Sequence, residues 1–404
     1  MFQRGVATFG LDYGKCPKWL FERMVRLSKE MIKVMIEEYG ADEFLRRIAD
    51  PVWFQSLGTV LAFDWNASGL TTILTAALKE AIRGQEKDLG VFIAGGKGKT
   101  SRRTPDEIIN WGEKLNLPAP KTQSLVYGSK MAAKVDSALI QDGFQIYHHS
   151  FFFSRGGAWT VVQQGMNPPH KIYVGGEYRM TEGTARRYHW HSENIKDFVC
   201  EPHSGIASQT KVKSPLNLTA EKSEKTREVS TELVKAGYHS LMKDIEILRK
   251  HSSELHKTLA LKISSPAGDE NLVKLLKLEN IEFQHHPVEA EDFSKSRYLE
   301  KILWQVCDQQ PENYEKLLAI KGVGPKTMRA LALTAEVIYG ARPSYEDPAR
   351  YSFAHGGKDA TPYPVDRPTY DSTIEFFSKV IRMMKKTGPA EKNQMMGRLN
   401  KVGV

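Results

Sequence analysis

The sequence predicts an α+β protein. A mixed helical and β-hairpin N-terminal domain is expected over residues 1–204, a linker over 205–236, and an all-helical domain carrying a helix-hairpin-helix over 237–404. Three observations lead there. Leu20, Met24, Leu27, Met31, Met35 and Ile36 recur at the period of a helix with one buried face. Phe144–Phe153 and Ala158–Met166 are apolar, aromatic-rich runs joined by Ser154-Arg155-Gly156-Gly157, the signal of a β-hairpin. Finally, Lys321-Gly322-Val323-Gly324-Pro325-Lys326-Thr327 sets two glycines between two apolar helical stripes, a sharp turn from helix to helix.

Taken in order, Phe44, Ile48, Trp53, Phe54 and Leu57 extend the helical region, and Thr72–Arg83 forms another helix behind a Ser68 or Thr71 cap. Val91–Ala94 reads as a short buried strand feeding the basic, glycine-softened loop Gly95–Pro105. That loop is no Walker phosphate loop, because Ile93 stands where the pattern needs glycine, five residues before Gly98. Its Lys97, Lys99, Arg102 and Arg103 suit either a backbone-phosphate contact or a solvated surface. Helices follow from Asp106 to Leu115 and from Ser124 to Ile140, then the hairpin, with further strands at Lys171–Tyr178 and Ala185–Trp190. Gly205–Lys235 is polar and charged and reads as a linker, after which helices resume at Tyr238–Leu259.

Composition narrows the partner. Of 404 residues, 57 are Lys or Arg and 48 Asp or Glu, a formal charge of +9, which favours a polyanion. DNA, single- or double-stranded, is the expected partner. Cys16, Cys200 and Cys307 are too dispersed for a cysteine zinc site or an iron–sulfur cluster. Neither a charged-then-apolar leader nor an apolar run of about 20 residues is present, so a cytoplasmic protein with no membrane partner is expected. Nothing in the sequence fixes the oligomeric state.

The glycine turn carries chemistry. Gly322 and Gly324 permit close approach of another backbone, while Pro325 and Thr327 suit a first helical turn whose free N–H groups attract an anion. Leu317–Thr327 resembles the helix-hairpin-helix of DNA-repair proteins, and within them the base-excision glycosylases of the endonuclease III type. That resemblance implies that Gly322, Val323, Gly324, Lys326 and Thr327 hold the DNA backbone. It also implies Lys326 as a Schiff-base nucleophile and Asp366, of Val365-Asp366, as the activating carboxylate. The chain departs from that pattern in the Arg342–Pro364 insertion and in Arg367-Pro368 after the aspartate.

Upstream, Gln141–His149, Val162–Asn167, Ala185–Trp190 and Glu201-Pro202-His203 resemble a family from archaea and thermophilic bacteria known as domain of unknown function 763, over most of residues 1–340. Its members suggest no activity, so the residues must supply the chemistry. Asp142, His149 and Gln164 offer oxygen and imidazole ligands for Mg²⁺ or Mn²⁺, and Asp136, His148, His189, His191, Glu201 and His203 lie in or beside the same expected sheet. Buried side chains meeting hydrogen bonds of the sheet are the alternative. Arg186 and Arg187 near Tyr147, Trp159, Tyr188 and Trp190 could contact DNA and stack bases, or fill a core. The resulting expectation is a repair-type enzyme that cleaves DNA, as a metal-dependent nuclease or a glycosylase/lyase. The rival is a non-catalytic, architectural DNA-binding factor.

Overall fold

In the computed structural model, residues 16–61, 69–168, 171–174, 177–180, 183–208, 211–248, 296–349, 375, 379, 382 and 388–400 are described. The fold is a mixed α and β arrangement around an antiparallel sheet. Four helices lead: α1 (Lys18–Tyr39), α2 (Ala41–Ala49), α3 (Pro51–Val60) and α4 (Gly69–Ala81). The short α5 (Glu86–Leu89) then enters β1 (Val91–Lys97), which ends in a 3₁₀ turn at Gly98–Arg103. Helices α6 (Thr104–Lys114) and α7 (Ala119–Ala138) precede the strands β2 (Ile140–Gln141), β3 (Gln145–Ser154), β4 (Trp159–Asn167), β5 (Lys171–Val174), β6 (Glu177–Met180), β7 (Thr184–His191), β8 (His203–Ser208) and β9 (Leu216–Asn217).

The main sheet runs β1-β3-β4-β7-β8, every pair antiparallel. Its side chains alternate between two faces, and both faces are covered. Phe151, Phe153, Val161 and Trp190 pack toward α6 and α7, whereas Phe152 and Val162 join Met24, Phe44, Phe54 and Leu70 of the first four helices. This explains the uninterrupted Phe151-Phe152-Phe153 run, which reads as continuous rather than alternating because each ring has a core to enter. Of the two readings of the aromatic residues, stacking bases or filling a core, the second holds here. Trp159, Tyr188 and Trp190 are core residues.

The linker expected at 205–236 is also corrected. Within it lie most of β8, then β9 and α8 (Glu224–Lys235), and α8 buries Val229, Leu233 and Val234 in one core with Leu303, Leu317 and Leu331. The polarity that suggested a linker belongs to buried groups satisfied by carbonyls: the Thr226 hydroxyl donates to Ala341 O at 2.8 Å, and Arg227 Nη1 to Leu218 O and Ala220 O, each at 2.8 Å. After helical residues 238–248 (α9) come α10 (Arg297–Gln309), α11 (Tyr314–Ala319), α12 (Pro325–Tyr339) and α13 (Pro389–Asn400). Ser296 and Asn313 cap α10 and α11, accepting from Leu299 N at 3.3 Å and Lys316 N at 2.9 Å. Packing is continuous from the sheet into these helices, so 205–236 is not a break between domains.

Candidate functional site

The turn between α11 and α12 forms as its sequence requires. Gly322 has φ 93°, and a Cβ there would lie 2.5 Å from Ile302 Cδ1 of α10, so both backbone conformation and space demand glycine. Gly324 has a different task. It caps α12 in extended conformation with φ −150°, and a Cβ on it would meet nothing within 4 Å. Its carbonyl accepts from Met328 N at 3.1 Å. The N–H groups of Gly324, Lys326 and Thr327 find no acceptor among the described residues. Lys321 and Lys326 are exposed beside them, while Val323 and Thr327 are buried and anchor the turn.

The hairpin is bolted to the sheet side of the molecule. Lys134 Nζ of α7 donates to Leu318 O at 2.5 Å and Ile320 O at 2.6 Å, meeting carbonyls left open where α11 ends. Burial pushes the Lys134 ammonium down to about 8. Gln141 of β2 donates to Pro325 O at 2.9 Å and accepts from Arg329 Nε at 2.6 Å. Lys326 is exposed, with no carboxylate in ion-pair contact among the described residues. Asp366, its expected partner, lies outside the described residues. Lys97, Lys99, Arg102 and Arg103 are exposed on the β1 end and the 3₁₀ turn.

Two expected DNA contacts are corrected. Arg186 and Arg187 are fully buried, one on each face of β7. Arg186 lies between Asp142 and Asp347, with N–O distances of 2.8 and 2.7 Å. Burial opposes its charge, but Asp142, Tyr188 and Asp347 outweigh it and hold the guanidinium above its ordinary value. Arg187 donates to His189 Nε2 at 2.8 Å and Gln55 Oε1 at 3.0 Å, and burial lowers it to about 9.

The expected Mg²⁺ or Mn²⁺ trio does not converge. His149 pairs with Gln163 and shares its face, whereas Gln164 pairs with His148 on the other. The His149 ring is engaged by Ser129 Oγ at 2.9 Å and Gln163 Oε1 at 2.8 Å. Gln164 donates to the Tyr147 hydroxyl at 2.7 Å, and Asp142 takes Arg186 and, at 2.8 Å, the Tyr188 hydroxyl. Among the described residues no group of three or more His, Cys, Asp or Glu side chains is placed to hold a metal ion.

What the sheet does assemble is an acid–base pair at a cavity. Asp136 of α7 is fully buried and accepts from Trp190 Nε1 at 3.0 Å, from Gln163 Nε2 and from His203 Nε2. His203 lines a cavity of about 200 Å³ shared by Glu201, Asn217, Thr219, Glu346 and Asp347. The sequence offers Asp136, Glu201 and His203 among many polar candidates. It does not mark Asp347 or Glu346, which sit in the insertion after α12 and reach the sheet only through the fold. Residues 5–365 match the family model described as Protein of unknown function (DUF763). No curated protein and no solved structure matches the chain.

Proposed function

We propose that this chain, which belongs to the DUF763 family of proteins of unknown function, binds the sugar–phosphate backbone of DNA through the α11–α12 turn. The observation that carries the reading is the open N-terminus of α12: unpaired N–H groups at Gly324, Lys326 and Thr327, clear space over Gly324, and exposed Lys321 and Lys326 on either side. Backbone donors and the helix dipole together favour an anion there, and two lysines add charge without reading bases. Lys326 in this reading is a phosphate clamp, since an exposed amine lacks the desolvation that makes a lysine a nucleophile. Lys97, Lys99, Arg102 and Arg103 provide a second basic patch, and the net charge of +9 supports a polyanionic partner.

The test is fluorescence anisotropy with labelled single-stranded and duplex DNA over a salt series. Affinity should fall linearly in log–log form with salt. Gly324→Asp is the decisive variant. Aspartate is a favoured cap for α12 and fits the space, so folding should be kept, while its carboxylate occupies the anion position and affinity for both strand forms drops. Binding insensitive to salt and to Gly324→Asp would overturn the proposal. Incubation with abasic DNA and borohydride separates clamp from enzyme: a trapped adduct lost in Lys326→Ala would restore the lyase role. Strand cleavage that needs Mn²⁺ would instead favour the nuclease reading, and binding with neither activity favours the architectural one.

A further inference from the structure

We infer that the cavity lined by His203 binds a small, non-anionic heterocycle of nucleobase size that carries N–H groups, with His203 Nδ1 as the atom that accepts a proton or hydrogen bond from it. The choice of a nucleobase rests on the DNA-binding reading; the polarity of the site stands without it.

The tautomer of His203 follows from its neighbours. Trp190 Nε1 and the Gln163 amide nitrogen are donors only, so the Asp136 oxygen they share accepts from both. The second Asp136 oxygen faces His203 Nε2. With the carboxylate ionised, that ring nitrogen carries the hydrogen and Nδ1 keeps its lone pair. Nδ1 has no hydrogen-bond partner among the described residues, and the imidazole side chain is 7% exposed at the wall of the cavity. A buried carboxylate that fixes a histidine through one ring nitrogen leaves the other as the acceptor, the arrangement by which such a ring serves as a general base. Trp190 holds the ring from the side, its centroid 4.5 Å away in an edge-on contact.

Charge selects the ligand. Glu201, Glu346 and Asp347 line the cavity, and among the described lining residues there is no lysine or arginine. Lys222, 2.6 Å from Glu346, and Arg186, 2.7 Å from Asp347, neutralise two of these carboxylates from outside. A phosphate entering here would meet carboxylates and no cation among the described lining residues, with the Ser204 and Ser344 hydroxyls as its side-chain donors, which is poor compensation for its charge. N–H donors meet acceptors instead. The volume holds six or seven waters at about 30 Å³ each, which fits one ring system rather than a drug-sized molecule. Ile206 and Pro348 supply apolar surface for a flat ring. Glu201 sits at φ 42°, an uncommon backbone state for a residue with a side chain, fixed by its N–H to Thr219 O at 2.8 Å.

The cavity also lies close to the hairpin. Asn217 of β9 lines it and pairs with Ile140 of β2, and the next residue, Gln141, holds Pro325 O at the start of α12. A strand gripped at Gly324 is thus one two-stranded ladder away from this site.

Calorimetric titration of the full-length protein with cytidine, adenosine and guanosine, and with their 5′-monophosphates, tests the inference. Nucleosides should bind at millimolar concentration or below, and the monophosphates about tenfold more weakly or worse. His203→Lys keeps an N–H donor for Asp136 but carries no acceptor, so nucleoside binding should be lost while a cooperative thermal unfolding transition is kept. Gly324→Asp should leave the nucleoside titration as it is, which separates failure of the hairpin from failure of the cavity. Monophosphates binding as well as nucleosides, nucleoside binding unaffected by His203→Lys, or no nucleoside binding at millimolar concentration would each overturn the assignment.

Discussion

Replacing Gly322 by alanine tests whether the hairpin is built as described. At φ 93° an alanine pays the left-handed penalty of about 1–2 kcal/mol. Its methyl would also stand 2.5 Å from Ile302 Cδ1, a side chain 4% exposed, so relief requires repacking at about 1–3 kcal/mol. The sum is a loss of roughly 2–5 kcal/mol, measured by urea unfolding followed by circular dichroism. Gly324→Ala is the internal control: its φ of −150° suits any residue and its Cβ meets nothing within 4 Å. Weaker capping and a stiffer unfolded chain nearly offset each other there, so stability should stay within about 1 kcal/mol of wild type. Combining Gly322→Ala with Ile302→Ala removes the clash but not the backbone strain. The pair should therefore be less destabilising than the sum of the singles by about 1–3 kcal/mol. Equal effects at Gly322 and Gly324, or no coupling with Ile302, would refute the division of labour between the two glycines.

Three further outcomes follow from buried groups. Burial, then the nearby His149 and Lys97 charges, lowers His148 from 6.5 to about 3. The unfolded chain therefore takes up a proton that the folded one refuses, and stability falls as pH drops from 6.5 toward 3. The contribution reaches about 2 kcal/mol at pH 5, and His148→Gln should flatten the slope in urea titrations at pH 7 and 5; an unchanged slope counts against it. Arg186→Met leaves Asp142 and Asp347 buried without their cation and should cost about 3–5 kcal/mol in the same assay, a figure under 1 kcal/mol being incompatible with the triad. Lys134→Met removes two donors to the end of α11, each worth about 1.5–3 kcal/mol, so amide exchange across residues 318–324 should quicken and DNA affinity fall with it. Exchange confined to its wild-type rate there would show that Lys134 is not the fastening.

Local signals survived into the fold where one periodicity or one turn decides the outcome. The helix α1, whose stripe buries Met24 and Met35 but leaves Leu27 exposed, the Gly-Gly hairpin between β3 and β4, and the glycine turn before α12 are of this kind. Segment 205–236 has a linker's composition because its Thr226, Arg227, Ser230 and Thr231 are polar and buried together, and composition alone cannot tell a solvated hydroxyl from one bonded to a carbonyl. Arg186 and Arg187 resemble surface contacts in sequence for a related reason. Adjacent residues on a strand point to opposite faces, and only tertiary structure reveals that helices cover both. The same alternation separates His149 from Gln164. The cavity was legible only in part, because its His203 and Asp347 are joined through Asp136, Arg186 and β9 rather than through neighbouring sequence.

The Arg186–Asp347 contact spans 161 positions, and that separation has a meaning for synthesis on the ribosome. At about 5–20 residues per second, Arg186 emerges roughly ten to thirty seconds before the aspartate that completes its neutralisation. During that interval the sheet can pair its strands, yet the guanidinium lacks Asp347, and the shared core lacks Leu317, Leu331 and their neighbours. The nascent chain must therefore wait, with apolar surface open, until most of its length exists. A ribosome stalled near residue 340 should hold a protease-sensitive, chaperone-binding intermediate. One stalled far enough beyond Asp347 for that residue to clear the exit tunnel should hold a resistant sheet, which couples the maturing of the cavity to the arrival of the hairpin.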